Sequence, residues 1–267
     1  MTSSTHDWTI DQGWGQYTAQ DHSVWRTLFE RQTALLPGRA CKEFVDGMKH
    51  LPMDASGIPD FRALNEVLMP QTGWQVVAVP GLVPDAVFFD HLAHRRFPSG
   101  NFIRTPVQLD YLQEPDVFHD VFGHVPMLMN PVMADFIQAY GVGGLRADSM
   151  GALALLARVY WYTVEFGLVR EAGDLRIYGA GIASSFSESV YALDSEVPQR
   201  MAFDLGRVMR TLYRIDDFQQ TYFVLEDLSA LLTLGQTDFG PLYAACIDRP
   251  TYAPNAAVPG DVLVPRS

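Results

Sequence analysis

Two histidines, His119 and His124, lie five positions apart in an otherwise apolar stretch that also carries Asp116 and Asp120. Residues i and i+5 of a regular α-helix point about 140° apart, so both imidazoles can face one metal ion only where the helix starts or is distorted. We therefore predict a helix start at His119 or a π-type bulge near Gly123. The two aspartates are placed to orient the imidazoles by accepting ring hydrogen bonds. The pair alone fits two partly buried histidines bonded to these aspartates better than it fits a metal site.

Glu165 is the candidate third ligand. Its neighbours one helical turn away on either side are apolar or aromatic, namely Trp161, Tyr162, Leu168 and Val169. A buried carboxylate without a partner is costly, so it requires either a salt bridge, for which Arg158 two turns away is placed, or a metal ion. Two histidines and one carboxylate form the facial triad that binds Fe(II) and leaves positions open for oxygen. A zinc hydrolase is the alternative use of the same ligands.

Two further histidines, His91 and His94, are also helix neighbours. Arg95 and Arg96 follow them directly, and no carboxylate in apolar surroundings accompanies them. Short motifs of this kind often match by chance. We therefore assign this pair to a solvated helix face rather than to a metal site.

The glycine-rich segment 178–186 follows a strand-like run and partly matches a dinucleotide-binding loop. Ser184 stands where that fingerprint requires a third glycine, and no regular βαβ pattern surrounds the segment. Our interpretation is that Gly179 and Gly181 let the backbone pass close to a ligand or to a neighbouring helix.

The elements that position these side chains are predominantly helical. Apolar spacing, capping residues and Pro or Gly stops predict helices from Thr18 to the stop at Pro37-Gly38, around Phe44, from Asp60 to the stop at Pro70, and over 87–94, 116–129, 130–140, 150–169, 200–213 and 228–234. Strands are predicted over 74–79, 175–178 and 221–224, and a loop over 141–144. Since no repeat or long linker interrupts the chain, we expect one mostly α domain of the α+β class over 1–267, with an N-terminal arm over 1–20 and a Pro-rich irregular tail over 250–267.

Composition restricts the partners. Of the residues, 48% are hydrophobic. The formal net charge is -12, and this negative charge disfavours nucleic acid and anionic membranes as partners and favours a small-molecule ligand. No stretch resembles a leader or a membrane span. The two cysteines, Cys41 and Cys246, are isolated in the sequence, so we expect a cytoplasmic protein.

Four segments resemble the pterin-dependent aromatic amino acid hydroxylases, in particular the compact bacterial phenylalanine 4-hydroxylases. In chain order they are Glu114-Pro115-Asp116 with His119 and His124, then Gly123-His124-Val125-Pro126, then Tyr160-Trp161-Tyr162-Thr163-Val164-Glu165-Phe166-Gly167, and Tyr178-Gly179-Ala180-Gly181. The resemblance covers nearly the whole chain. It implies the catalytic domain of that family, with many helices and a few short strands.

The resemblance also implies the ligands. His119, His124 and Glu165 would bind Fe(II), and a tetrahydropterin, tetrahydrobiopterin or a relative, would contact Gly81, Leu82, Phe88, Asp120 and Tyr160, with Phe88 stacked on the pterin ring. Arg104 would bind the substrate carboxylate, a role suited to a bidentate guanidinium, and the amino acid would lie among Pro115, Trp161, Gly181 and Ser184. In the alternative interpretation Phe88 and Trp161 are core aromatics and Arg104 is an ordinary ion-pair partner.

The implied reaction is conversion of L-phenylalanine to L-tyrosine with O2, without a side chain acting as principal acid or base. Trp161 favours phenylalanine as substrate because tryptophan hydroxylases carry phenylalanine there, and Ile215 replaces the aspartate of tyrosine hydroxylases. Leu112 replaces a threonine that animal members carry after the tyrosine matching Tyr111, which removes one polar substrate contact. Hydroxylation of tryptophan or of another ring position, and a non-catalytic metal- or pterin-binding protein, are the alternatives. The regulatory domain and tetramerising helix of animal members have no counterpart, which implies a monomer.

Overall fold

The computed structural model describes residues 7–110, 112 and 114–266. Helices dominate these ranges: α1 (Ala19–Leu35), α2 (Lys42–His50), α3 (Phe61–Thr72), α4 (Asp85–Ala93), α5 (Val125–Leu128), α6 (Pro131–Ser149), α7 (Leu153–Tyr160), α8 (Ala180–Ala183), α9 (Phe186–Asp194), α10 (Leu205–Arg210), α11 (Ala230–Gln236) and α12 (Gly240–Cys246). Two π-helical segments, π1 (Phe118–His124) and π2 (Trp161–Glu165), carry the candidate ligands. The predicted mostly helical fold is confirmed.

Six short strands are present in the described ranges: β1 (Gln75–Val79), β2 (Arg96–Gly100), β3 (Leu168–Glu171), β4 (Asp174–Ile177), β5 (Gln199–Ala202) and β6 (Thr221–Leu225). β1 and β2 form a parallel pair, with Val76 opposite Phe97. The other four form a sheet in the order β4-β3-β6-β5, in which only the β3–β4 pair is antiparallel. β3 begins three residues after the end of π2, so the sheet follows directly from the helix that carries Glu165.

α1 is the scaffold helix that the sequence predicts. Thr18 and Asp21 form the expected capping box, in which each side chain accepts from the backbone N–H of the other. The buried face of α1 contains Val24, Trp25 and Leu28. The Trp25 ring packs edge-on against Phe118, with centroids 5.3 Å apart, so α1 supports π1.

Several helix boundaries differ from the prediction. Pro70 does not end α3, which continues to Thr72 and stops at Gly73 in the left-handed conformation, because a proline in the last turn removes only one backbone hydrogen bond. The predicted helix over 150–169 ends at Glu165, and Leu168 and Val169 pair with β6 instead. The predicted helix over 200–213 is too long at both ends, because Arg200 and Met201 lie in β5 and α10 ends at Arg210.

The predicted loop over 141–144 is also wrong, because α6 runs straight through it. A Cβ atom on Gly141 would lie 2.3 Å from the backbone nitrogen of Ala93, and one on Gly144 would lie 2.0 Å from the Phe89 ring. These glycines therefore allow α4 to pack directly onto α6, and they are not chain breakers. This contact holds α4, which carries Phe88, against the candidate site.

Both ends of the described chain are attached to the fold. In the predicted N-terminal arm, the Trp14 indole N–H donates to the Ile58 carbonyl and Ile10 bridges Ala78. The tail has no helix in its described residues, and it is fixed by the buried Arg207–Asp261 ion pair at 2.9 Å. One hydrophobic cluster extends through the described elements, and no helix among them is long and apolar enough to cross a membrane.

Candidate metal centre and its two cavities

Three side chains converge between π1 and π2. The Nε2 atoms of His119 and His124 lie 3.3 Å apart, and the Glu165 carboxylate oxygens lie 3.6 Å from the first and 3.2 Å from the second. Adjacent ligands of an octahedral ion with bonds of about 2.1 Å are about 3 Å apart. His119, His124 and Glu165 are also the group of metal-ligating residues found among the described ranges. Their spacing and donor atoms fit one bound Fe(II) with open positions.

The predicted departure from regular helix between the two histidines is present. Phe118–His124 is π-helical, and so is Trp161–Glu165, where the Phe166 N–H donates to the Trp161 carbonyl five residues back. A π-helix turns less per residue than an α-helix, so residues five apart fall on the same face. Both ligand-bearing helices use this distortion, although the sequence reasoning predicted it only for π1.

Two close approaches bring the glycine-rich segment against the ligands. A Cβ atom on Gly179 would lie 2.5 Å from the Glu165 carbonyl oxygen, and one on Gly181 would lie 2.8 Å from the Phe166 ring. On the other side, a Cβ atom on Gly123 would lie 2.9 Å from the Ala180 carbonyl oxygen. α8 therefore fits between π1 and π2 only because these positions lack side chains, in agreement with the packing interpretation of the motif.

Ser184, at the end of α8, fixes the protonation of His119. Its hydroxyl donates to the Ala180 carbonyl at 2.8 Å, so it is left to accept from His119 Nδ1 at 2.9 Å. The ring proton therefore lies on Nδ1, and the Nε2 lone pair points to the metal position. Burial lowers the pKa of His119 to about 4, which keeps this ring neutral. The sequence reasoning assigned Ser184 to the substrate and missed this contact.

The His124 ring is held by packing. It lies 4.7 Å from the Phe97 ring and 6.4 Å from Tyr160. Glu165 faces both imidazoles, and although burial raises the pKa of its carboxyl, the two histidines outweigh that effect and lower it below the ordinary value. The salt bridge to Arg158 is absent, because Arg158 donates to the Met209 carbonyl at 2.7 Å.

Asp116 and Asp120 differ from their predicted role as acceptors for the imidazoles. Asp116 is fully buried and accepts two hydrogen bonds of 2.9 Å from the Arg104 guanidinium, and a third from the His119 backbone N–H at 3.0 Å. Burial raises its pKa but Arg104 outweighs this and lowers it. Asp120 accepts from the Gly100 N–H at 2.8 Å, and burial raises its pKa to about 7. Asp116 therefore orients His119 through the backbone.

A cavity of about 490 Å³ opens on one side of the ligands. Its lining includes all five residues expected around the amino acid, which are Arg104, Pro115, Trp161, Gly181 and Ser184. The Arg104 side chain is 9% exposed and also donates to the Leu109 carbonyl, which leaves further N–H groups for an incoming carboxylate. Leu112 and Ile215 line the same cavity, whereas Tyr111 lies outside the described residues.

A second cavity, of about 450 Å³, opens on the other side. Its lining includes all five residues expected around the pterin, which are Gly81, Leu82, Phe88, Asp120 and Tyr160. Pro115, His119, Trp161 and Glu165 line both cavities. The metal position therefore forms part of the wall between them, where two organic molecules can approach one ion from different sides.

The alternative histidine pair does not form a metal site. His91 is fully buried, contrary to the predicted solvated face, and its Nε2 lies 2.7 Å from the Asp7 carbonyl. His94 is exposed and lies 3.4 Å from Asp90. No third ligand joins them among the described residues.

A family model described as biopterin-dependent aromatic amino acid hydroxylase matches residues 13–249. The chain is 61% identical to the phenylalanine-4-hydroxylase of Caulobacter vibrioides, over 97% of this chain and 88% of the relative. It is 54% identical to the phenylalanine-4-hydroxylase of Chromobacterium violaceum, over 99% and 89%. The iron- and phenylalanine-bound crystal structure of the Chromobacterium violaceum enzyme superposes with a TM-score of 0.93 at 52% identity and covers 99% of this chain and 96% of that one.

Proposed function

Because the chain belongs to the biopterin-dependent aromatic amino acid hydroxylases, we propose that it converts L-phenylalanine to L-tyrosine with Fe(II), a tetrahydropterin and O2. The observation that carries this proposal is the position of the His119, His124 and Glu165 triad in the wall between two cavities. One cavity carries a guanidinium suited to an amino acid carboxylate, and the other carries aromatic rings suited to a pterin.

Iron and the reduced pterin, when bound, supply the activation of O2, and one oxygen atom enters each organic partner. The protein holds the reactants in place. Arg104, held rigid by Asp116, binds the substrate carboxylate. Trp161 limits the space for the aromatic ring, and Phe88 offers its face to the pterin. The buried aromatic residues around the triad exclude water from the reacting atoms. The metal-binding residues are His119, His124 and Glu165.

The test is product analysis with phenylalanine, Fe(II), tetrahydropterin and oxygen. We expect L-tyrosine, formed in step with pterin oxidation and with no activity when zinc replaces iron. Another hydroxyphenylalanine as the main product, or faster hydroxylation of tryptophan when it is supplied in place of phenylalanine, would contradict the proposed specificity. Iron and pterin binding without oxygen consumption would indicate a non-catalytic binding protein.

Glu165→Ala is expected to weaken iron binding by at least about tenfold and to abolish tyrosine formation. The variant lacks the carboxylate ligand, and no other carboxylate among the described residues joins the two histidines. Metal analysis and the product assay measure both effects. Glu66→Ala, on the exposed face of α3, is the matched control and should retain wild-type iron content. Full activity of the Glu165 variant would assign the third ligand elsewhere.

We further propose that the enzyme acts as a monomer in the cytoplasm. The relatives that support the family assignment are bacterial, and both Cys41 and Cys246 are free and buried, as suits a reducing compartment. Light scattering at micromolar concentration should give the mass of one chain, 29.8 kDa. A mass of twice that value or more would contradict the proposal.

A further inference from the structure

The indole of Trp161, which lines both cavities, is held by one hydrogen bond, by a stacked ring and by a tilted contact with Phe166 at 4.9 Å between ring centroids. Its Nε1–H donates to Gln219 Oε1 at 3.0 Å. Its ring lies parallel to Tyr213, with centroids 4.1 Å apart and planes 13° apart. Stacking fixes the plane but permits sliding, whereas the hydrogen bond fixes the position within the plane.

Gln219 is only 2% exposed, and its amide has a single satisfactory orientation. Its Nε2 donates to the Arg214 carbonyl at 2.7 Å while its Oε1 accepts from the indole. If the amide were flipped, its oxygen would face the Arg214 carbonyl oxygen and its NH2 group would face the indole N–H. The two partners therefore allow only one orientation of the amide. The Gln219 side chain is therefore already ordered before any substrate arrives.

The backbone of Gln219 is fixed by a second buried group. Its N–H donates to Glu188 Oε1 at 3.2 Å, and the same oxygen accepts a short hydrogen bond from the Tyr222 hydroxyl. Glu188 is 5% exposed and extends from α9, which follows the glycine-rich segment. All three residues of the chain Glu188–Gln219–Trp161 line the substrate cavity, and the Tyr222 hydroxyl connects this chain to the sheet.

We propose that Gln219, held by Glu188, is a positioning residue that determines aromatic substrate specificity by fixing the Trp161 indole. Fixed in this way, the indole leaves room for a single six-membered ring beside the metal position. Released, it shifts along the Tyr213 face and admits larger rings and unproductive orientations. This inference rests on the proposed hydroxylation of phenylalanine.

The test compares Gln219→Met with Gln220→Met. Methionine keeps the length of the side chain and removes the amide, and Gln220 is the adjacent residue whose side chain does not bond Trp161. For Gln219→Met we expect KM for phenylalanine to rise about fivefold. This factor corresponds to the free energy of one neutral hydrogen bond, the Gln219–Trp161 bond that the variant lacks. We expect kcat to change less than about twofold, tyrosine formed per pterin oxidised to fall, and the preference for phenylalanine over tryptophan to narrow. Gln220→Met should match the wild type.

A second variant keeps the Gln219 side chain and its bond to the Arg214 carbonyl. Benzothienylalanine incorporated at position 161 replaces only the indole N–H by sulfur, and it should reproduce the Gln219→Met changes. Combined with Gln219→Met, it should add no further effect, because both remove the same bond. Additive effects, or an unchanged substrate ratio in the benzothienylalanine protein, would overturn the inference.

Phenylalanine affinity measured by calorimetry on the iron-loaded protein separates the two proposals. If the wild-type protein forms no tyrosine, the proposed function fails, yet weaker phenylalanine binding by both altered proteins would still support the positioning role. If the wild type forms tyrosine and both altered proteins bind phenylalanine with unchanged affinity, the positioning role fails alone.

Discussion

At the scale of single residues, the site depends on groups whose partners lie far apart in the sequence. Ser184 is 65 positions from His119, and Gln219 is 58 positions from Trp161. The sequence identified the three ligands because their types and apolar surroundings are visible locally. Hydrogen bonds that set the His119 tautomer or the indole position depend on tertiary packing, so no local pattern could reveal them.

Glu188 gives the clearest pH-dependent behaviour. Burial raises its pKa to about 7, despite hydrogen bonds from Tyr222 and Gln219 that favour the charged form. Its proton is therefore bound more tightly in the folded protein than in the unfolded chain, where the carboxyl has a pKa of about 4.3. The bound proton therefore makes its full contribution to the free energy of unfolding below a pH of about 4.3. This contribution is lost as the pH rises through about 7.

We expect Glu188→Gln to gain stability relative to the wild type as the pH rises from 5 to 8, by up to about 3 kcal/mol. The amide retains an acceptor for Tyr222 and Gln219 but cannot ionise. Thermal melts of both proteins at each pH measure the difference. Parallel stability curves across that range would show that the Glu188 carboxyl is not perturbed.

At the scale of elements, periodicity predicted the helices but not what happens within them. The five-residue spacing of the histidines required a distorted helix, and π1 has that form. π2 carries one ligand, Glu165, so no spacing between two ligands could indicate a distortion there. The sequence therefore did not predict π2. The glycines of α6 were misread for a related reason, since glycine signals either a turn or a close contact and only the neighbouring helix decides which.

That distinction within α6 can be tested with two adjacent glycines. Gly144→Ala would place a methyl group within 2.0 Å of the Phe89 ring, whereas no atom beyond the adjacent residues and nearby backbone of α6 lies within 4 Å of the corresponding position on Gly143. We expect Gly144→Ala to destabilise the fold by about 2–3 kcal/mol through overpacking. Gly143→Ala should stabilise it by up to about 1 kcal/mol through helix propensity. Equal melting temperatures for the two variants would contradict the close packing of α4 on α6.

At the scale of the whole molecule, the tail completes the fold although it has no regular structure. Arg207, on α10, is 8% exposed and bonds both Asp261 and the Ala256 carbonyl, and it lies over the Tyr252 ring. The Pro-rich composition predicts the irregular backbone. It could not predict the attachment, because the buried partner lies 54 positions earlier.

Asp261→Ala should therefore lower the free energy of unfolding by roughly 3 kcal/mol, because it leaves the buried Arg207 guanidinium without its counter-charge. Asp248→Ala, at an exposed position before the tail, should change it by less than about 0.5 kcal/mol. Urea titration measures both. A small effect of Asp261→Ala would mean that the tail is not part of the cooperative fold.

The two π-helical segments make the metal site depend on the length of chain around its ligands. A π-helix closes each hydrogen bond over five residues, whereas an α-helix closes it over four. Taking one residue out between His119 and His124 would leave the i, i+4 spacing of a plain α-helix. With the chain at its present length, the two Nε2 atoms meet at 3.3 Å because π1 keeps its wider turn.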